Sequence, residues 1–234
     1  MAMLGEYRVI ELADERGQLA GHVLASLGAE VITVEPPGGS HSRTIGPFAD
    51  DVVSPDTSLW YWSYNRGKKS VVIDLETVEG RDELLRLTDG ADIVIEAFGP
   101  NVLTELGLGY EVMSERNPAL IHLSISAFGD DGPKASWEAT DLTIMASGGQ
   151  MSLAGDLDRA PLRIPLPQAY MHASSEGAGA ALIALYERQH NSGLGQHINL
   201  SAQTSPLQAS QTNMVASAIN APQAIRSAGG VTIS

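Results

Sequence analysis

RVIELADERGQLAGHVLASLGAEVITVE, residues 8–35, reads as a strand, a helix and a second strand in succession. Arg8 to Leu12 reads as a short buried strand. From Gln18 to Leu27 the apolar residues Leu19, Val23, Leu24 and Leu27 recur at helical spacing. Gly28 follows, where a left-handed residue ends a helix at least cost. Glu30 to Val34 is the next strand, stopped by Pro36 and Pro37. Two strands joined through one helix form a βαβ unit, which implies parallel strands with a right-handed crossover.

The same alternation continues. Ser70–Ile73 reads as a strand ending at Asp74, and Val78–Leu87 as an amphipathic helix. Asp92–Ile95 is apolar enough to be covered on both faces. Short helices near Val102–Leu106 and Tyr110–Arg116 lead to a strand at Ala119–Ser124. Ala127 to Trp137, with its glycines, proline and paired aspartates, reads as a loop. Asp141–Ala146 predicts a short helix with Asp141 near its N-cap. Ala173–Arg188 predicts a longer helix whose first half is Ala, Ser and Gly, suited to close approach by another backbone or a ligand. Ile198–Ser201 is the last strand, and the stretch from Ala202 onward begins as a helix and loosens at Gly229–Gly230. The fold class expected is α/β, a Rossmann-like parallel sheet with flanking helices.

With 234 residues, 43% of them hydrophobic, the chain has material for one large domain, or for one domain and the beginning of another. No cysteine is present, which excludes disulfides, thiolate zinc sites and a cysteine nucleophile. No metal site is expected. Met1 to Tyr7 lacks the features of a signal peptide, and no apolar run approaches the ~18–20 residues of a membrane span, so a cytoplasmic location is expected. A formal charge of −14 argues against nucleic acid as a partner. Against that acidic background the lysines are Lys68, Lys69 and Lys134, and the first two stand beside Arg66. A solvated basic turn and a phosphate-binding cluster are both open readings of Arg66, Lys68 and Lys69. The first βα turn, Ala13–Gln18, lacks the G-x-G-x-x-G of a dinucleotide site, and no P-loop occurs. Gly17 at the mouth of the first helix is either a ligand-approach glycine or a plain turn glycine.

NRGKKSVVID, residues 65–74, resembles the hallmark segment of the class III CoA-transferases. The resemblance extends through LGAEVITVEPP (27–37), ADIVIEAFGP (91–100), LGLGY (106–110) with NPALI (117–121), SAFGDDGP (126–133) and SGLGQHINLS (192–201). It implies a CoA-binding large domain over residues 1–201. Residues 202–234 would then be a helix and tail leading toward a second domain, near whose start the chain stops. It further implies coenzyme A as substrate, held at the carboxyl ends of the strands by Arg16, Gly17 and Gln18, by Ile73, Asp74, Leu75 and Glu76, and by Ala97, Phe98 and Gly99. The diphosphate is expected near Arg66, Lys68 and Lys69. Three positions depart from the family pattern: Arg16-Gly17-Gln18 stands where Ala-Gly-Pro is frequent, Thr33 where a lysine is common, and Pro37 near a cation position.

The family's nucleophile is an aspartate carboxylate, and the matching window here is Gln168-Ala169-Tyr170. No Asp or Glu occurs between Arg159 and Ser175; Asp158 and Glu176 are the nearest. The related racemases use a His–Asp pair, and Thr140 stands at the histidine position. Asp141 is the catalytic candidate, with a helix cap as its structural reading; His172 is expected to be structural. Three functions stay open: a CoA-transferase with a modified active site acting on acyl-CoA and carboxylic acids, a non-catalytic CoA-binding subunit of a heteromeric transferase, or an acyl-CoA lyase, hydratase or isomerase with Asp141 or Glu176 as base. A homo-oligomer or a pair with a related subunit is expected, since Leu207, Met214, Val215 and Ile219 form an apolar stretch without cover.

Overall fold

The computed structural model describes residues 2–222. In chain order its main elements are β1 (Arg8–Leu12), α1 (Gln18–Ser26), β2 (Glu30–Glu35), α2 (Leu59–Asn65), β3 (Lys69–Val72), α3 (Val78–Thr88) and β4 (Ile93–Glu96). There follow α4 (Val102–Glu105), α5 (Tyr110–Arg116), β5 (Ile121–Ser126), α6 (Asp141–Ser147), α7 (Ala169–Glu187), β6 (His197–Ser201) and α8 (Gln211–Ala218). The strands form one six-stranded sheet in the order β3-β2-β1-β4-β5-β6. All of its pairings are parallel. The chain therefore runs outward from β1 to β3, then returns to β4 on the other side of β1. That reversal is the topological switch point, where open α/β sheets leave a crevice at their carboxyl ends.

Alternation along each strand divides the apolar residues between two cores. One face carries Val9, Ile93, Ile95, Ile121, Leu123 and Ile125 against Leu24 of α1 and Ala173, Ala178 and Ala181 of α7. The other carries Ile10, Leu12 and Val94 against Leu84, Leu103, Leu108 and Met113. The small residues of α7 are explained by this packing. A Cβ on Gly177 would stand 2.9 Å from Leu123 Cδ2. The close approach expected of this helix is thus made to the sheet and to α1, rather than to a ligand at its buried face.

Two element boundaries shift in ways that bear on the site. Helix α7 begins at Ala169, so the Gln168-Ala169-Tyr170 window is its first turn and not a segment ahead of it. Helix α6 is capped by Thr140, whose side chain accepts from the Thr143 amide. Asp141 is the next residue, and its carboxylate acts elsewhere. In the last segment, Ser205–Ser210 is a 3-10 turn before α8. Met214, Val215 and Ile219 there are more than half exposed. Gly229 and Gly230 lie outside the described residues.

Candidate active site

The cleft at the switch point has a volume of about 560 Å³ and is open to one side. Arg16 reaches it from the turn after β1, Phe98, Gly99 and Pro100 from the turn after β4, and Ala127 from the end of β5. Tyr170, in the first turn of α7, and Ala135–Ala139 form the opposite wall. The cleft thus gathers residues from two of the three turns expected to hold a ligand, together with Tyr170 of the nucleophile window, whereas Gln168 lines a separate pocket beside Asp141 and Ala169 is buried. Trp137 closes the segment expected as a loop, and Glu138 just beyond it carries no sequence signal that would have marked it.

Arg16 is fixed by its own turn. Its Nε donates to Asp14 Oδ1 at 2.8 Å and its Nη2 to Asp14 Oδ2 at 2.7 Å. Its carbonyl accepts from Ser174 Oγ at 3.1 Å, tying the turn to α7. Gly17 allows α1 to start against the sheet: a Cβ there would lie 2.8 Å from that of Ala13 and 3.0 Å from that of Ala97. Gln18 is buried, and its Nε2 donates to Ser42 Oγ at 2.8 Å. Ala97 is buried beneath the cleft floor. The third turn does not join them. Ile73 packs in the second core, and Asp74 Oδ1 accepts from the Glu76 amide at 3.0 Å within the turn before α3. Neither Leu75 nor Glu76 lines the cleft.

The three cations of the cluster point to different partners. Lys68 Nζ is buried and donates to Glu11 Oε1 and Oε2 at 2.9 and 2.7 Å, to the Gln18 carbonyl at 2.9 Å and to Asn65 Oδ1 at 3.2 Å. Thr33 Oγ1 donates to the same Glu11 at 2.9 Å, which places the residue of the departing family position in this network. Lys69 reaches Glu30 at 2.5 Å, toward the amino ends of the strands and away from the cleft. Arg66 lies 3.5 Å from His22 Nε2. A lysine whose protons are all committed to protein oxygens has none to offer a phosphate.

Asp141 Oδ1 accepts from the amides of Gln168 and Ala169 at 2.7 and 2.8 Å. It caps the amino end of α7, across 27 residues of chain, where unpaired N–H groups and the helix dipole favour an anion. Glu176 accepts from Gln208 at 2.9 Å, and His172 is exposed. Burial raises the Tyr170 phenol above its ordinary pKa, against the opposing charge of Arg16, so the hydroxyl in the cleft is neutral. Among the described residues no three His, Asp or Glu side chains converge as metal ligands would.

The sequence pattern of CoA-transferase family III matches residues 4–232. The chain belongs to that family. Among relatives of this family III chain, the succinyl-CoA:(R)-benzylsuccinate CoA-transferase subunit BbsE of Thauera aromatica is 38% identical over 194 residues, 83% of this chain and 47% of that protein. The succinate–glutarate CoA-transferase of Agrobacterium fabrum is 39% identical over 201 residues, 84% of this chain and 50% of its own. A CAIB/BAIF family protein from Brucella suis superimposes with a TM-score of 0.84 at 36% identity, covering 95% of this chain and 59% of that one. This family III chain therefore spans about half the length of the curated relatives it matches. No helix among its described residues is long and apolar enough to cross a membrane.

Proposed function

We propose that this chain is the CoA-binding half of a CoA-transferase that moves CoA between carboxylic acids. One observation carries the reading: Arg16, Phe98, Gly99 and Tyr170 line a single cleft at the carboxyl ends of β1 and β4. The CoA would enter there, against main-chain groups of the two turns, with Arg16 as the cation within reach. Transfer by the family's route needs a carboxylate that attacks the thioester carbonyl, releases CoA thiolate and then carries CoA itself as a thioester. Residues 160–174 contain no such group, and the amide of Gln168 and the neutral phenol of Tyr170 are poor substitutes. This favours a subunit role, with the carboxylate supplied by a related chain, over a self-sufficient transferase.

Calorimetric titration with CoA tests the site. Gly99 has an ordinary backbone conformation and room for a side chain, with Val102 at 3.8 Å the nearest neighbour of an added Cβ. Gly99→Trp should fold normally, fill the cleft and weaken CoA binding by about tenfold or more. Equal affinities for the two chains would refute the cleft as the CoA site. For the subunit role, transfer between an acyl-CoA and a free acid should appear only when an aspartate-bearing family III chain is added.

A further inference from the structure

A row of polar side chains crosses the sheet on the face away from α1 and α7. Glu96 on β4 is in register with Ser124 on β5, and His122 on β5 with His197 on β6. Glu96, Ser124 and His122 are buried. Ser124 Oγ lies 2.9 Å from His197 Nε2. At the other end the Phe98 amide donates to Glu96 Oε2 at 2.8 Å. The remaining neighbours are Asp130, whose Oδ2 is 3.8 Å from His197 Nε2, the rings of Tyr110 and His122, centred 5.3 and 5.2 Å from that of His197, and Arg16, whose charge acts on Glu96.

Counting protons gives the row a direction. Burial pushes the Glu96 carboxyl upward, while the Ser124 hydroxyl and the Phe98 amide favour its anion. A hydroxyl has one proton. If Ser124 gives it to Glu96, the serine must accept from His197, which places the imidazole proton on Nε2. With Glu96 ionised, as its bond from the Phe98 amide favours, donation the other way would leave the carboxylate facing a lone pair. The order His197 to Ser124 to Glu96, with Phe98 bonded to the same carboxylate, leaves no such conflict. His122 stays neutral, its pKa pushed down to about 3 by burial and by His197.

We infer that Glu96, Ser124 and His197 are positioning residues, which set the Ala97–Pro100 turn of the cleft through the Phe98 amide. Phe98 and Gly99 line the cleft and Glu96 does not, so the effect on a ligand is indirect. Weakening the acceptor lets the turn adopt other conformations, and apparent affinity falls with the competent fraction. The inference rests on the cleft being the CoA site for its ligand effect only.

The test uses Ser124→Ala, His197→Phe and His197→Gln, the last keeping an N–H donor near the position of Nε2. Amide hydrogen exchange at Phe98 is followed without ligand, and CoA affinity by calorimetry, between about pH 5 and 8. Ser124→Ala and His197→Phe should lose about five- to tenfold of Phe98 protection, the scale of one hydrogen bond, and bind CoA weaker by a similar factor. His197→Gln should stay within about twofold of the parent, and the Val94 and Ile95 amides should not change in any variant. Unchanged Phe98 protection in His197→Phe would overturn the inference, as would His197→Gln behaving like His197→Phe. Should Ser124→Ala not fold, the two histidine variants decide alone. A parent chain that binds no CoA would instead refute the proposed function, while the exchange measurement would still judge the positioning role.

Discussion

Lys68 Nζ sits 2.7 Å from Glu11 Oε2 inside the fold, the side chains 1% and 0% exposed, and joins β1 to the chain leading into β3. Burial pushes the Glu11 carboxyl up and the Lys68 ammonium down, and their attraction opposes both shifts. Removing one partner strands the other. Lys68→Met should therefore destabilise the chain by about 3–5 kcal/mol in urea unfolding. Lys69→Ala, which breaks an exposed contact with Glu30, should leave the midpoint almost unchanged. If the two variants lowered stability equally, the burial of Lys68 would be wrong.

Gly21 makes room for that pair. A Cβ on it would lie on the Glu11 carboxylate, 2.0 Å from Oε1. In a helix interior, Gly→Ala ordinarily gains up to about 1 kcal/mol. In α1 the sign should reverse, with Gly21→Ala losing about 2 kcal/mol or more because the buried ion pair must move. A stabilised Gly21→Ala chain would show that Glu11 does not occupy the space beside α1.

Glu35 closes β2 with a saturated carboxylate. Oε2 accepts from Arg43 Nε at 2.6 Å and from the Ser40 amide at 2.9 Å. Oε1 accepts from Arg43 Nη2, Tyr61 OH and Ser70 Oγ at 2.8, 2.9 and 2.5 Å. Burial would raise its pKa, but these donors together overcome it and hold the group at about 2. A depressed pKa contributes stability above the unfolded value, near 4.3. That contribution disappears as pH falls from there through about 2. Its size is on the order of 3 kcal/mol at neutral pH. Urea midpoints of the parent and Glu35→Gln should differ at pH 7 and converge toward pH 2; a constant gap would contradict the assignment.

These networks mark where the sequence stops being legible. The elements from Arg8 to Glu35, α3 and β4 follow from apolar period and turn residues, which are local signals. That a cleft lies between the turns after β1 and β4 follows from the strand order, since an open parallel sheet leaves its crevice beyond the strand carboxyl ends at the switch point. The pairing of Lys68 with Glu11 leaves no local trace, because the two stand 57 residues apart and a lysine beside a glycine looks the same in sequence whether solvated or buried. Glu35 gathers Arg43, Tyr61 and Ser70 from separate elements, and no spacing announces that convergence. Asp141 was read as a cap for its own helix, whereas tertiary packing aims it at the next one.

Asp141 gives the last prediction, because a cap and a nucleophile respond differently to amidation. Asparagine keeps the oxygen that accepts from the Gln168 and Ala169 amides but not the charge. Alanine keeps neither and strands two N–H groups at the start of α7. If Asp141 is a cap, Asp141→Ala should lose about 1–2 kcal/mol and Asp141→Asn less than half of that. With Oδ1 held by two amides and the side chain outside the cleft lining, attack on a thioester in the cleft is not expected. Incubating the chain with an acyl-CoA and hydroxylamine, then mapping peptides by mass, should leave Asp141 unmodified. A hydroxamate at Asp141, together with loss of transfer in Asp141→Asn at undiminished stability, would make it the nucleophile and return the chain to a self-sufficient transferase. An adduct on Glu138, the carboxylate that does line the cleft, would do the same by another residue.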